Sequence, residues 1–187
     1  HYFCLRNIYF PNTLTITMKK TTFILLASFI LFSCKNNNNA PNVSNINVDI
    51  KLERFDRDFF AIDTNNILPG LNQLNAKYPV ATPIFLQFVL GVDSANMIYG
   101  VKNFLSLSNG LYDTVNTVFK TTDGLEKDFK KAFQYVKYYF PKYQVPKIAT
   151  IAGPVDALAQ SDSGPTPDFL RPGLLGISLQ FYLGKDF

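Results

Sequence analysis

The feature that most limits what this chain can fold into lies near its start. Met18 is followed by two lysines, by a largely apolar run over residues 23–32, and then by Ser33 and Cys34. This basic, apolar and small-residue order is typical of an export signal. Ten helical residues span roughly 15 Å, half of the ~30 Å hydrocarbon core of a bilayer. The run therefore predicts a signal peptide rather than a stable transmembrane anchor.

The end of this signal is more specific than its middle. The sequence Leu31-Phe32-Ser33-Cys34 resembles a bacterial lipobox. In a lipobox the cysteine thiol receives a diacylglycerol and the peptide is cut before the cysteine, and two or more acyl chains make the anchoring stable. We therefore predict a lipoprotein signal peptide over residues 18–33 and lipidation of Cys34. The alternatives are an ordinary signal peptide that contains a cysteine, and a short buried helix.

The residues after Cys34 predict a flexible tether over residues 34–47. They begin with a lysine and four asparagines and show no apolar period, which favours solvated, turn-rich backbone. The first acidic residue of the chain is Asp49. Asn-rich tracts are frequent after lipoboxes in one group of bacteria, and the surface-displayed lipoproteins of that group tend to carry acidic residues directly after the cysteine. Because this chain has none there, we expect a lipid-anchored envelope protein that faces the periplasm. Residues 1–17, which precede Met18, are interpreted as a non-native or unstructured segment.

Charge and residue content restrict the chemistry of the remaining chain. Of 18 Lys and Arg residues, three lie in the first 34 residues, and the rest are nearly balanced by 14 Asp and Glu. This balance excludes a basic nucleic-acid footprint. The only histidine is His1 and the only cysteines are Cys4 and Cys34. Histidine triads, Cys–His dyads and the usual zinc sites are therefore excluded from residue 35 onward, and we predict neither a metal nor a cofactor.

Residues 48–187 are predicted to form a single helix-rich α+β domain with a few short strands. A hydrophobic content of 47%, with 18 Phe and 10 Tyr, is enough to build one core. Apolar and charged residues alternate over 48–55 and predict a strand, and residues 147–151 predict another. Helical spacing of apolar residues falls between these strands, near residues 71–78, 84–90, 97–105, 111–119 and 123–140.

The last of these helices has the clearest amphipathic pattern. Its apolar stripe includes Phe133 and Phe140, and the lysines on its opposite side are interpreted as a solvated face. After the second strand, residues 161–173 predict a loop, and residues 174–184 predict a strand or a buried helix. Because the chain stops three residues later and does not begin with Met, we expect it to be incomplete at its C-terminus.

Several segments carry a resemblance to a known family. They are the lipobox leader, residues 48–60, the Tyr78-Pro79 step, the helix end at residues 138–141, and, as the most specific, LGISLQFYLGKDF at residues 175–187. Together they resemble the gliding-motility-associated lipoprotein GldB family of Bacteroidetes over residues 18–187. The resemblance implies an envelope lipoprotein required for gliding, with envelope motility or secretion proteins as partners and no accepted enzymatic activity.

The family also resembles predicted zincin-like proteases, whose metal motif is His-Glu-x-x-His on a helix. This motif has no counterpart between residues 35 and 187. If the chain is a relative of these peptidases, its metal motif either lies beyond residue 187 or has been lost.

Three functions compete at this point. The favoured one is a non-catalytic lipoprotein that acts through protein contacts, with no catalytic residues. An envelope hydrolase would use Glu53, Asp56 and Asp58 as acid and base. On a strand, however, Asp56 and Asp58 would share a face and alternate with Arg54 and Arg57, which is more typical of a surface ion-pair ladder. A ligand-binding lipoprotein would line a pocket with its aromatic residues, but aromatics at helical spacing are more often core.

Overall fold

The computed structural model describes residues 40–157, 159–161 and 164–184. Cys34 and the predicted signal peptide lie outside these residues. The described residues from Asn42 onward belong to one compact unit. This unit has the helix-rich α+β fold that the sequence predicts.

The helices are α1 (Phe55–Phe60), α2 (Ile67–Lys77), α3 (Ala81–Ile84), α4 (Met97–Leu107), α5 (Asn109–Val118) and α6 (Asp123–Tyr139), with a π-helical turn at Phe85–Val89 and a 3-10 turn at Leu179–Tyr182. The strands are β1 (Leu52–Glu53), β2 (Lys147–Ile151), β3 (Ala159–Ser161), β4 (Gly164–Thr166), β5 (Phe169–Arg171) and β6 (Leu174–Ser178). The helices predicted near residues 71–78, 97–105, 111–119 and 123–140, and the strand predicted at 147–151, are confirmed.

A four-stranded sheet with the order β1-β2-β6-β5 organises the unit. Strands β1, β2 and β6 run parallel, and β5 runs antiparallel to β6. A separate antiparallel pair joins β3 and β4. In the central strand β2, every residue after Lys147 is buried, because helices cover both faces of the sheet, as parallel sheets require.

The two faces of the sheet bury two different apolar clusters. Successive side chains of a strand point to opposite faces, and in β2 Ala149 and Ile151 lie in one cluster while Ile148 lies in the other. The first cluster is built mainly from α1 to α4 and the π-helical turn. In the second, Val115 of α5 and Phe133 of α6 are the buried helical residues.

The strand predicted over residues 48–55 is mostly wrong. Only Leu52 and Glu53 pair with β2, and α1 begins at Phe55. The physical reason is the pair Phe55 and Phe59, four residues apart, which a helix places on one face and which are both fully buried in the first cluster. Asp56 and Asp58 therefore do not share a face, because two residues of a helix separate side chains by about 200°.

The predicted tether extends too far toward the domain. Val43 is 5% exposed and Ile46 packs against the second cluster. The side-chain Nε2 of Gln134 in α6 also donates a hydrogen bond of 2.9 Å to the carbonyl oxygen of Ile46. The fold therefore already includes residues 43–47, whose sparse apolar side chains gave no periodic signal.

The loop predicted over residues 161–173 contains β4 and β5. Strand β5 forms because Phe169 pairs with Gly176 of β6, and its ring lies where a side chain at position 176 would be. A Cβ on Gly176 would be 2.2 Å from Cζ of Phe169. Residues 174–184 were predicted to be a strand or a buried helix. They contain both a strand, β6, and the 3-10 turn that follows it.

Two apolar predictions are wrong in detail. The segment predicted as buried over residues 84–90 is helical, but Phe88 in its π-helical turn is 64% exposed while Phe85 is buried. Phe140, assigned to the buried stripe of α6, is 66% exposed. The helix ends at Tyr139, and Phe140 has φ −131° and ψ 76°, so the backbone no longer directs its side chain along the stripe.

Candidate functional site

Among the residues that the structure covers, Asp56 is the one charged side chain that is buried. Arg54 donates to both of its oxygens, from Nε to Oδ1 at 2.9 Å and from Nη2 to Oδ2 at 2.6 Å. The hydroxyl of Thr150 in β2 donates a third bond to Oδ1 at 2.6 Å. A buried carboxylate needs such compensation for its lost hydration. Asp56 is therefore a structural link between α1 and the centre of the sheet.

Two arginines extend this link to the end of α5. Arg54 Nη1 donates to the carbonyl oxygen of Phe119 at 2.7 Å, and Arg57 Nη2 donates to that of Lys120 at 2.9 Å. The last carbonyls of a helix lack intrahelical partners and carry partial negative charge, so cations stabilise them. Burial alone would lower the pKa of Arg54. The hydrogen bond to Asp56 and the negative charge of that carboxylate outweigh burial and raise the pKa.

Glu53 lies at the surface edge of β1. Its carboxylate accepts a bond of 3.2 Å from Lys147 Nζ, and the lysine side chain is 67% exposed. Exposed pairs of this kind contribute little to stability. The Thr150 hydroxyl also lies 3.3 Å from the backbone carbonyl oxygen of Glu53, a longer contact than the one to Asp56, to which it donates its single proton.

Asp58 forms a separate cluster with Lys77 and Tyr78 at the end of α2. Both Lys77 Nζ and the Tyr78 hydroxyl donate to Oδ2 of Asp58. Burial alone would raise the pKa of Asp58, but these two hydrogen bonds lower it. The hydrogen bond to Asp58 raises the pKa of Lys77 to about 12. For Tyr78, burial and then the hydrogen bond to Asp58 raise the pKa to about 12.

Asp58 and Lys77 line an open cleft of about 490 Å³ beside α1 and α2. Asp63, Asn66 and Gln73 also line this cleft. Asp63 itself accepts hydrogen bonds from the backbone of Asn65 and the side chain of Asn66. Both carboxylates of this cleft are therefore already hydrogen-bonded within the fold.

The three carboxylates of the hydrolase hypothesis do not form one site. Asp56 lies in the interior and Asp58 points to the opposite side of α1, while Glu53 pairs with Lys147 at the sheet edge. General acid–base catalysis needs two groups that reach the same substrate. Within the described ranges, no group of three or more His, Cys, Asp or Glu side chains is placed to hold a metal ion.

The aromatic residues of the pocket hypothesis are mostly core. Phe55, Phe59 and Phe85 are fully buried and contact one another, with ring centroids 4.7 to 6.1 Å apart. A second cleft, of about 440 Å³, does open beside α2 and α4. Its lining is mostly aliphatic and amide, with Leu71 and Asn75 as examples, and also includes the carboxylate of Asp93 and the hydroxyls of Thr82 and Ser94, without an aromatic side chain.

Sequence reasoning missed a different set of aromatics. Tyr138, Tyr139 and Phe140 are 48%, 61% and 66% exposed at the end of α6. Tyr138 and Tyr139 are consecutive helical positions that lie off the apolar stripe, and Phe140 follows the end of the helix, so none of the three is directed into the core. Three consecutive aromatic residues were the feature of the sequence that indicated exposure. The interpretation followed the apolar stripe instead and assigned Phe140 to it.

Comparison with known proteins identifies a family but no individual relative. The sequence profile of a family described as gliding motility protein GldB matches residues 36–187. No curated protein and no solved structure matches the chain. None of the helices in the part that the structure covers has the length and apolar character needed to cross a bilayer.

Proposed function

This chain belongs to the GldB family of gliding motility lipoproteins, and on that premise we propose that it supports gliding by holding partner proteins in the cell envelope, without catalysing a reaction. The partners are envelope proteins of the motility apparatus or of the secretion apparatus associated with it. The domain is held by a lipid on Cys34 and faces the periplasm. The profile match over residues 36–187 is the observation that carries this proposal.

The role of the carboxylates supports a non-catalytic function. Asp56 is used to join α1 to β2, Asp58 accepts bonds from Lys77 and Tyr78, and Glu53 pairs with Lys147. None of the three needs a substrate to complete its hydrogen bonding. The hydrolase alternative requires two of these groups to reach one substrate, and the three lie apart in the fold.

The anchor is tested by metabolic labelling with a fatty-acid probe. We expect the wild-type chain to take up the probe and the Cys34→Ser chain to take up none, because the thiol is the acceptor. A Cys4→Ser chain is the matched control and should label like the wild type. Equal labelling of Cys34→Ser and wild type would refute the anchor.

The non-catalytic function is tested in a gliding bacterium that lacks its own family member. The full chain carrying Glu53→Gln and Asp58→Asn should restore spreading, since both side chains are partly exposed and neither packs in an apolar cluster. Asp56 is left intact because its loss would destabilise the fold, and a loss of spreading would then not test chemistry. Loss of spreading at normal protein level and lipidation, or metal-dependent peptidase turnover by the purified chain, would favour the hydrolase.

A further inference from the structure

The three aromatics at the end of α6 form an exposed apolar surface, which we call the aromatic end (Tyr138, Tyr139 and Phe140). The rings of Tyr138 and Tyr139 contact each other edge to face, with centroids 5.0 Å apart. Tyrosine has an apolar ring and a polar hydroxyl, and such residues are enriched where hydrocarbon meets water. Large exposed apolar surfaces mark contacts with proteins or membranes.

The chain segment that contains the aromatic end is rich in lysine. Residues 129–155 contain five lysines and no acidic residue. Lys147 pairs with Glu53, whereas no ion pair is formed within the described ranges by Lys130, Lys131, Lys137 or Lys142. Seven residues make about two helical turns, so Lys130 lies on the same side of α6 as Lys137, and Lys131 lies on the same side as Tyr138. Lysines near a bilayer are attracted to anionic lipid headgroups.

The N-terminal chain enters the fold close to this surface. Gln134 Nε2 bonds the carbonyl of Ile46 at 2.9 Å, and Tyr138 follows Gln134 by one helical turn, about 6 Å along the axis. Cys34 precedes Val43 by nine residues. Nine extended residues reach at most about 30 Å, so a lipid on Cys34 would limit the distance between Val43 and the bilayer to about that length.

We propose that the aromatic end is a membrane-contact surface, which rests on the headgroup region of the bilayer that holds the anchor. The inference rests on the proposed lipidation of Cys34. The lysines bind anionic headgroups and the three aromatic rings enter the interface between headgroups and acyl chains. The domain is thereby held in one orientation on the membrane.

A second copy of this chain fits the surface less well. In a two-fold dimer each surface meets itself. The lysines of one aromatic end would then lie against those of the other, without an acidic residue between 129 and 155 to offset them. An anionic bilayer supplies the opposite charge that these lysines lack.

The chain contains no tryptophan, so one substitution provides a unique fluorescent reporter. Lipidated full-length protein carrying Tyr139→Trp is reconstituted into vesicles of equal parts phosphatidylglycerol and phosphatidylcholine with brominated acyl chains. The matched control is Tyr99→Trp, since Tyr99 is 76% exposed on α4. We expect bromine to quench the reporter at position 139 at least about twofold more than the reporter at position 99. Equal quenching would overturn the proposal.

Charge is tested in the same vesicles. Adding Lys137→Gln and Lys142→Gln to Tyr139→Trp should reduce the fraction of protein in contact by roughly tenfold, because each lysine near an anionic surface contributes attraction. Lys51→Gln with Lys102→Gln is the control pair and should leave quenching unchanged. An equal effect of the two pairs would refute the role of the lysines at this surface.

The anchor and the contact surface fail differently. Protein that takes up no fatty-acid probe and does not float with vesicles refutes the lipid anchor and this inference with it. Protein that is labelled and floats, yet shows equal quenching at positions 139 and 99, refutes the membrane-contact surface alone. Quenching that persists in vesicles of phosphatidylcholine only would overturn the charge argument.

Discussion

The guanidinium of Arg54 donates two hydrogen bonds to the carboxylate of Asp56, two residues further along the chain, and the Asp56 side chain is completely excluded from solvent. The same guanidinium reaches the carbonyl of Phe119 at the end of α5. One ion pair therefore joins the start of α1, the centre of the sheet through Thr150, and a helix on the opposite face.

Replacing Asp56 by alanine should cost about 3–5 kcal/mol of unfolding free energy, because removing one partner leaves the other charge buried without compensation. The matched control is Glu53→Gln, whose partner Lys147 is exposed, and it should cost about 0–1 kcal/mol. Urea unfolding followed by circular dichroism measures both. Similar costs for the two variants would contradict the structural role of Asp56.

Gly176→Ala should destabilise the protein by about 1–3 kcal/mol, as overpacking does elsewhere. The added Cβ would lie 2.2 Å from the ring of Phe169. Gly110 and Gly124 lie in helices with nothing within 4 Å of an added Cβ, so alanine there should stabilise by up to about 1 kcal/mol. A double-mutant cycle with Phe169→Leu should show coupling above about 0.5 kcal/mol, and additive effects would exclude the contact.

Phe133→Ala should cost about 3–5 kcal/mol, the range for a buried phenylalanine. The side chain is 8% exposed in the second cluster and stacks with Tyr143. Phe140→Ala, seven residues later on the predicted stripe, should change stability by less than about 0.5 kcal/mol because it is at the surface. Chemical unfolding of the two variants side by side decides whether the stripe is buried as far as Phe140.

The Asp58 cluster predicts a pH dependence at the acid side. The bonds from Lys77 and Tyr78 hold the folded-state pKa of Asp58 below its ordinary value of 3.8. A lowered pKa means that the unfolded chain binds the proton more readily, so the stabilisation is present above pH about 4 and is lost as pH falls further. The stability difference between wild type and Asp58→Asn should therefore shrink from about pH 7 to about pH 3.

Lys77→Met is the control for this pH effect. It removes one of the two donors that lower the pKa of Asp58 and leaves the Tyr78 hydroxyl in place, so it should weaken the acid dependence only in part. An unchanged difference between wild type and Asp58→Asn across this pH range would show that the cluster does not form in solution.

Local pattern was sufficient for the helical middle of the chain. In α6, for example, apolar residues recur every three to four positions, and Phe133 is buried where this period places it. Strand β2 was equally evident, since a short apolar run between a proline and a glycine is typical of a buried strand. The family resemblance came from the same linear information and is confirmed by the profile match.

The state of the carboxylates was decided by tertiary structure. Whether Asp56 is a surface ion pair or a buried link depends on Thr150, 94 residues away. Nothing in the local sequence states that partner, and alternating charges over 48–55 favoured a strand. The short pairing of β1 and the burial of Phe55 and Phe59 outweighed that local preference, because apolar burial contributes more than strand propensity.

By itself, then, the sequence determined the helical core and the absence of histidine and cysteine from residue 35 onward, because each is a property of neighbouring residues or of composition. Only the tertiary structure decided that β5 forms opposite Gly176, that Asp56 is buried, and that the aromatic end of α6 is exposed. These outcomes depend on contacts between distant segments, and such contacts are set by how the helices cover the two faces of the sheet.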